Sequence, residues 1–321
     1  FGAGASVNVG GLEASTLAIS DADFMANNYQ FSGAGTGSVE NRGTIKAADG
    51  GYVTLLGANV SNQGVIAAQL GTIALAAGEA VTLDMAGDKL LNVTVDQGVL
   101  DALVHNGGMI RADGGRVLMT TQAAGSLLAN AVNNTGIIQA QTIQNIRGAI
   151  LLMGGMENGT MGVAGMLDAS APNGGDGGFI ETSAADVKIS SGVKVTTEAA
   201  RGKTGTWLID PQDFIIGSGA TDNISGATLS ALLVTNSVTI STAAGTDAAV
   251  AGTPPVTSLY TGTVGNGDIQ VNDAIAWTAA PSTTTLSLLA DRDVNINAPI
   301  TATNGNLVVC CGRDVNVALG A

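Results

Sequence analysis

Cysteine is nearly absent from this chain. Its 321 residues hold two, side by side at Cys310 and Cys311, so no disulfide framework ties distant loops together. Neighbours in a strand face opposite sides, so one thiol is expected in the core and the other outside, each as a small strand residue. His105 is the single histidine, and one imidazole with no cysteine nearby cannot build a zinc site. The six prolines exclude a Pro-rich linker. Aromatic residues make up 3%, too few to pave a sugar-stacking cleft. Charged residues are 12% of the chain, about half the usual fraction. A disordered chain would carry more charge and less Val, Ile and Leu. The net charge is −14 with no Lys/Arg cluster, which repels nucleic acid, heparin and acidic membrane surfaces. No apolar run reaches the roughly 18 residues of a membrane-spanning helix. The chain starts at Phe1 without a signal peptide and stops inside a repeat-like phrase, so it is expected to be part of a longer polypeptide.

What replaces the missing charge is Gly, Asn, Thr and Ser. Glycine alone supplies 46 residues, about twice the usual share, while mean hydropathy is only +0.33. Such a composition fits β-structure with a turn every few residues and a polar, uncharged surface.

The repeat is plainest between Asn41 and Ala77. Asn41, Gly43, Ile45 and Ala47 recur 21 positions later as Asn62, Gly64, Ile66 and Ala68. Val53 and Leu55 recur as Ile73 and Leu75. A unit of two short strands and two turns cannot bury its own apolar face, whereas a stack of such units can. The inward residue of the first strand then appears at Ile45, Ile66, Ile110, Ile138, Leu167 and Val195, with gaps of 21, 44, 28, 29 and 28. Period-2 strands at these gaps predict an all-β parallel β-helix in which each turn of the solenoid is one coil. The gap of 44 is read as two coils, within which Val81/Leu83 and Leu91/Val93/Val95 alternate as strands. The Leu-x-x-Leu-x-Leu phrase of a leucine-rich repeat and the 3.6-residue period of a helical solenoid are both missing. Asn41, Asn62, Asn106 and Asn134 stand at one corner, where stacked amides can bond one another along the axis.

Elsewhere, Phe24–Phe31 is expected to be a loop or extra strand packed on the side of the stack. Asp101–Val104 and Gly125–Asn133 are candidates for short helical turns. Trp207, Asp210, Pro211 and Phe214 are expected to act structurally, as a corner or plug where the coil pattern changes. The chain therefore divides into a β-helix over 1–204 and its continuation over 205–321, with a changed consensus, a Ser/Thr-capped helical turn in ISGATLSALL and a loop insertion near 241–268. Arg292-Asp293-Val294-Asn295 recurs 21 positions on as Arg313-Asp314-Val315-Asn316. At about 4.8 Å per coil and roughly 20–25 residues per coil, the rod would be about 60–70 Å long.

FGAGASVNVGGLEAST, the repeated Asn-x-Gly-x-Ile-x-Ala coils and GGFIETSAADVKISSGVKV…GKTGTWLIDPQDF resemble the secreted exoproteins of bacterial two-partner secretion systems, the filamentous haemagglutinin family. The resemblance covers nearly the whole chain, and the last phrase is the most specific. It implies a right-handed, single-stranded parallel β-helix with short extra-helical hairpins and loops, and export from a Gram-negative cell to the medium or cell surface. It also implies recognition by a cognate outer-membrane transporter. In the family, Asn-Pro-Asn motifs matter for that recognition, and this sequence has none. Most members are adhesins; some are haemolysins or toxin-delivery stalks.

Chemistry is scarce. Asp113, Asp168 and Asp176 stand near turns, where Asp is common for conformational reasons, and a polysaccharide hydrolase would need two or three carboxylates converging on one face. Gly174-Gly175-x-Gly177 lacks the Asp of a calcium-binding nonapeptide and is not repeated. No catalytic, cofactor or metal residue is assigned. The expectation is a non-catalytic adhesin whose partners are its transporter, host-cell or matrix glycans and proteins, and other rods stacked end to end. A stalk of a toxin-delivery or haemolysin exoprotein comes next, and a β-helical lyase or hydrolase last.

Overall fold

The structure is a computed structural model that describes residues 1–33, 36–84, 91–98, 102–122, 131–242, 265 and 267–321. Three parallel sheets wind round a common core as a β-helix. The longest has ten strands and runs from Leu12–Ser15 to Gly305–Cys311. A seven-stranded sheet runs from Ser6–Val9 to Lys194–Thr196, and a six-stranded sheet from Ser38–Asn41 to Asp186–Ile189. One coil takes one strand from each, as in Asn59–Asn62, Val65–Ala67 and Thr72–Ala77.

Alternation in the sequence becomes columns in the core. Val53, Ile73, Val117, Ile150, Ile180, Trp207, Val238 and Leu286 stand in direct register along the long sheet, and all are fully buried. Each such aliphatic side chain contributes about 1.5–3 kcal/mol on burial. A one-residue slip would turn the whole column outward, so the register is strongly specified.

At one corner of the coil the turns leave no room for side chains. A Cβ on Gly108 would lie 2.2 Å from the Gly64 carbonyl oxygen of the previous coil, and one on Gly136 2.2 Å from that of Gly108. Beside this glycine stack runs the amide ladder. Asn41 Nδ2 donates to Asn62 Oδ1 (2.9 Å), Asn62 to Asn106 (2.8 Å) and Asn106 to Asn134 (2.8 Å). It ends where Asn134 Nδ2 donates to the Ala164 carbonyl (2.9 Å). All four asparagines are fully buried, so each amide must be paired within the stack.

Several expectations are corrected. The gap of 44 is one coil, because Met109–Arg111 pairs directly with Val65–Ala67. The excess length forms an antiparallel hairpin, Ala80–Asp84 with Asn92–Gln97, joined on its other side by Tyr29–Ser32. Val81, Leu83, Val95 and Phe31 pack on Leu56 and Ala76, which face outward from the long sheet. Alternation alone does not distinguish this layer from a coil. Residues 24–31 divide between a short helix, Asp21–Met25, and that third strand. Leu103–Asn106 and Val132–Asn134 are strands rather than helical turns, held by the inward column Val60–Val104–Val132; Asp101 and residues 125–130 lie outside the described residues. Ten strands at about 4.8 Å spacing give a length nearer 45 Å than the 60–70 Å expected, because excursions lengthen coils without adding rise.

The seven- and six-stranded sheets end near residue 196, and a four-stranded sheet begins at Phe214–Ile216. Here helix Gly226–Leu233 closes the coil. Ser225 caps it by accepting from the Thr228 amide, and Leu229 and Leu233 are fully buried. The long sheet continues past this change without interruption. The insertion expected near 241–268 falls mostly outside the described residues.

Candidate interaction surfaces

The carboxylates weighed for hydrolysis hold turns. Asp113 is buried, and accepts from Arg111 Nε (2.5 Å), from the Gln139 side chain (2.9 and 3.0 Å) and from the Gln141 amide (3.0 Å). Asp168 accepts from Gln141 Nε2 (2.7 Å) and the Ser170 amide (3.0 Å). Asp176 Oδ1 accepts from the Lys203 amide (2.9 Å). Gln141 links Asp113 and Asp168, its backbone amide donating to the first and its side chain to the second; Asp176 is on a separate loop. Among the described residues no three His, Cys, Asp or Glu side chains are grouped to hold a metal. His105 stands in register between Ser61 and Asn133, and Gly174 and Gly175 take positive φ in a loop.

Trp207 and Phe214 are fully buried and Asp210 nearly so. Cys311 packs partly buried against the core, while Cys310 is exposed. Among the described residues Glu181 is the one strongly perturbed carboxyl. It lies on the outward side of the long sheet in register with Leu151 and Leu208. Burial pushes its pKa up to about 8, opposed by the hydrogen bond from Ser183 Oγ (2.8 Å) and reinforced by Asp210.

Two outer faces offer contact surface. On the seven-stranded sheet Val65, Met109, Ile137 and Met166 stand in one outward row, with Val65 38% and Ile137 41% exposed. The doublets Val65-Ile66 and Ile137-Ile138 were the sequence signal for it: one member of each is out of phase with the core. In the last coils neutral polar side chains stack on one another along the outer face. Asn297 Nδ2 donates to Asn272 Oδ1, and Asn316 Nδ2 to Asn295 Oδ1, both at 2.9 Å and both exposed. Thr278, Thr301 and Thr303 lie exposed on the adjoining strands.

A third feature is carried by the Arg-Asp-Val-Asn repeat. Arg292 donates through Nε (2.7 Å) and Nη2 to Asp268 of the coil before it, and Arg313 through Nε (2.8 Å) and Nη2 to Asp293. The hydrogen bond from Arg313 holds Asp293 below the usual carboxylate range.

Against known proteins, the profile of the family described as TPS secretion domain matches residues 1–166. The crystal structure of the HMW1 secretion domain from Haemophilus influenzae is similar with a TM-score of 0.59 at 18% identity, over 99% of this chain and 77% of that chain. At that identity the likeness concerns the fold. Comparison with curated proteins finds no match.

Proposed function

The chain belongs to the TPS secretion-domain family, and from that premise we propose that it is the non-catalytic rod of a two-partner secretion adhesin. Proteins with such domains are secreted exoproteins of Gram-negative bacteria, and the domain implies a cognate outer-membrane transporter as partner. No described helix is long and apolar enough to cross a membrane. The rod presents its outer faces to host cells, matrix polysaccharide or other bacteria. The observation that supports this reading is the neutral amide and hydroxyl face of the last coils, with its stacked Asn272–Asn297 and Asn295–Asn316 pairs. Such a face suits hydrogen bonding to uncharged glycans, with low affinity per site and a gain from many sites. The commitment of Asp113, Asp168 and Asp176 to turns weighs against hydrolysis. The division at 204/205 belongs to the same reading: the first section serves export, the second presents surface. End-to-end stacking of rods is the weaker partner reading, because it requires terminal strands of matching chemistry.

One incubation with two readouts tests this. The purified protein is mixed with cell-surface and matrix polysaccharides, and both retained protein and new reducing ends are measured. Retention without new ends is the expected result. New reducing ends would replace the adhesin with an enzyme. Neither signal would favour a stalk for a toxin-delivery or haemolysin exoprotein.

A further inference from the structure

The seven-stranded sheet turns an aliphatic row to solvent. Val65, Met109, Ile137 and Met166 stand in it in register. The row points away from the rod axis, so further coils at either end would lengthen this side of the sheet without covering it. Contiguous exposed aliphatic side chains mark contact surfaces.

The charge on this side differs from that of the chain as a whole. Beside the row runs a second outward line, with Lys46, Ala67, Arg111 and Gln139 in register, and Lys194 follows Met166 at the end of the first. Lys46, Arg111 and Lys194 are exposed. The single acid among the outward positions of the sheet, Asp168, is buried and accepts from Gln141 and Ser170. By contrast, Glu40 and Asp186 face outward on the six-stranded sheet, and Glu13 and Glu181 on the long one. Arg42, Arg111, Lys188, Arg292 and Arg313 are each ion-paired with a carboxylate. Among the described residues Lys46 and Lys194 have no such partner. Arg147, Arg201 and Lys203, exposed and also without one, stand on the loops that lead from this sheet into the long one, at the corner that also carries Asp49, Asp113, Asp176 and Glu198.

Aliphatic side chains with lysines at their flank and end fit an anionic lipid surface. Alkyl groups enter the headgroup boundary while ammonium groups meet phosphates. The outward positions of this sheet hold no aromatic residue, the type on which protein interfaces concentrate their energy. The net charge of −14 does not forbid the contact. At physiological salt, charges are screened beyond about 8 Å, so a surface senses the sheet it touches rather than the average of the chain.

We infer that the outer side of the seven-stranded sheet seats the rod lengthwise on a membrane surface bearing anionic lipid headgroups, with Val65, Met109, Ile137 and Met166 in the headgroup boundary and Lys46 and Lys194 on the phosphates. The strands from Thr44–Ala47 to Lys194–Thr196 make this contact about 24 Å long. The inference goes beyond the adhesin reading and does not depend on it.

Vesicle flotation tests it, with the full chain and phosphatidylcholine vesicles prepared with or without phosphatidylglycerol. Binding is expected only where phosphatidylglycerol is present, and should fall as salt is raised. Lys46→Gln combined with Lys194→Gln should weaken it by roughly tenfold or more, and Ile137→Asn by about fivefold. Lys188→Gln, on the six-stranded sheet, should leave it unchanged. These side chains lie on the outside of the rod, so their substitution leaves the fold intact, which circular dichroism verifies. Equal flotation on both kinds of vesicle, or flotation that ignores the Lys46, Lys194 and Ile137 substitutions, would overturn the proposal. So would no flotation at all, which would give the face to an acidic protein surface instead.

Discussion

Trp207 Nε1 donates to Thr182 Oγ1 at 3.1 Å, inside the core. Thr182 stands in the inward column between Leu152 and Ile209, its two aliphatic partners in register. A hydroxyl there gives the indole N–H an acceptor that no aliphatic side chain could supply. The second tryptophan repeats the device: Trp277 Nε1 donates to Thr284 Oγ1 at 3.1 Å, and Thr284 donates on to the Leu233 carbonyl.

Thr182→Val should therefore destabilise the chain despite its near-identical shape, by about 1–3 kcal/mol for a buried donor left unpaired. In the Trp207→Phe background the same substitution should cost much less, because the donor has gone. A double-mutant cycle in urea, followed by near-ultraviolet circular dichroism, measures the coupling.

Glycine substitutions should divide by place. A Cβ at Gly108 meets the Gly64 backbone at 2.2 Å, whereas one at Gly192 meets nothing within 4 Å and φ is not positive there. Gly108→Ala is expected to lower the melting temperature by several degrees or prevent folding, and Gly192→Ala to leave it within about a degree. Thermal melts of the two variants decide it.

Stability should fall with rising pH at Glu181. Its carboxyl titrates near 4.5 when unfolded and near 8 when folded. Between those values the native state holds a proton that the unfolded state has released, so stability declines as pH rises through the window and levels off above it. Glu181→Gln keeps an acceptor for Ser183 and removes the titration. The variant should gain on the wild type by an amount of order a few kcal/mol at pH 8, and the gain should vanish near pH 4.5. Urea titrations at both pH values test this.

The vicinal thiols should react unequally. Cys310 is exposed on the edge strand and Cys311 packs against the core, so iodoacetamide should modify Cys310 first under native conditions and both alike in denaturant. Peptide mass mapping after short exposure reads the ratio.

The solenoid was legible because inward residues obey a strict alternation and the Asn-x-Gly corner repeats with it; Ile45 and Ile66 announce their pairing at a distance of 21. The hairpin at Ala80–Gln97 was not, because Val81, Leu83, Val93 and Val95 alternate as coil strands do and only pairing direction separates them. Leu103 and Val104, expected in a helical turn over Asp101–Val104, belong to the strand Leu103–Asn106, and so short a strand carries too few residues to show its period. The Arg-Asp repeat was visible but mute: its meaning depends on a carboxylate one coil away, which no local pattern displays.

The uneven coil lengths have a mechanical consequence. Coils are joined in series along the rod, and each advances the axis by only about 4.8 Å. Asn41 and Asn62 are 21 positions apart, and the chain between them would reach roughly 70 Å if drawn out. One coil peeled from an end under tension therefore lengthens the tether by more than ten times the height it occupied. The coil from Val65 to Met109, with its 44 residues, stores about twice as much slack as its neighbour. A rod of this kind answers a pull by paying out chain coil by coil, with the load dissipated at each step.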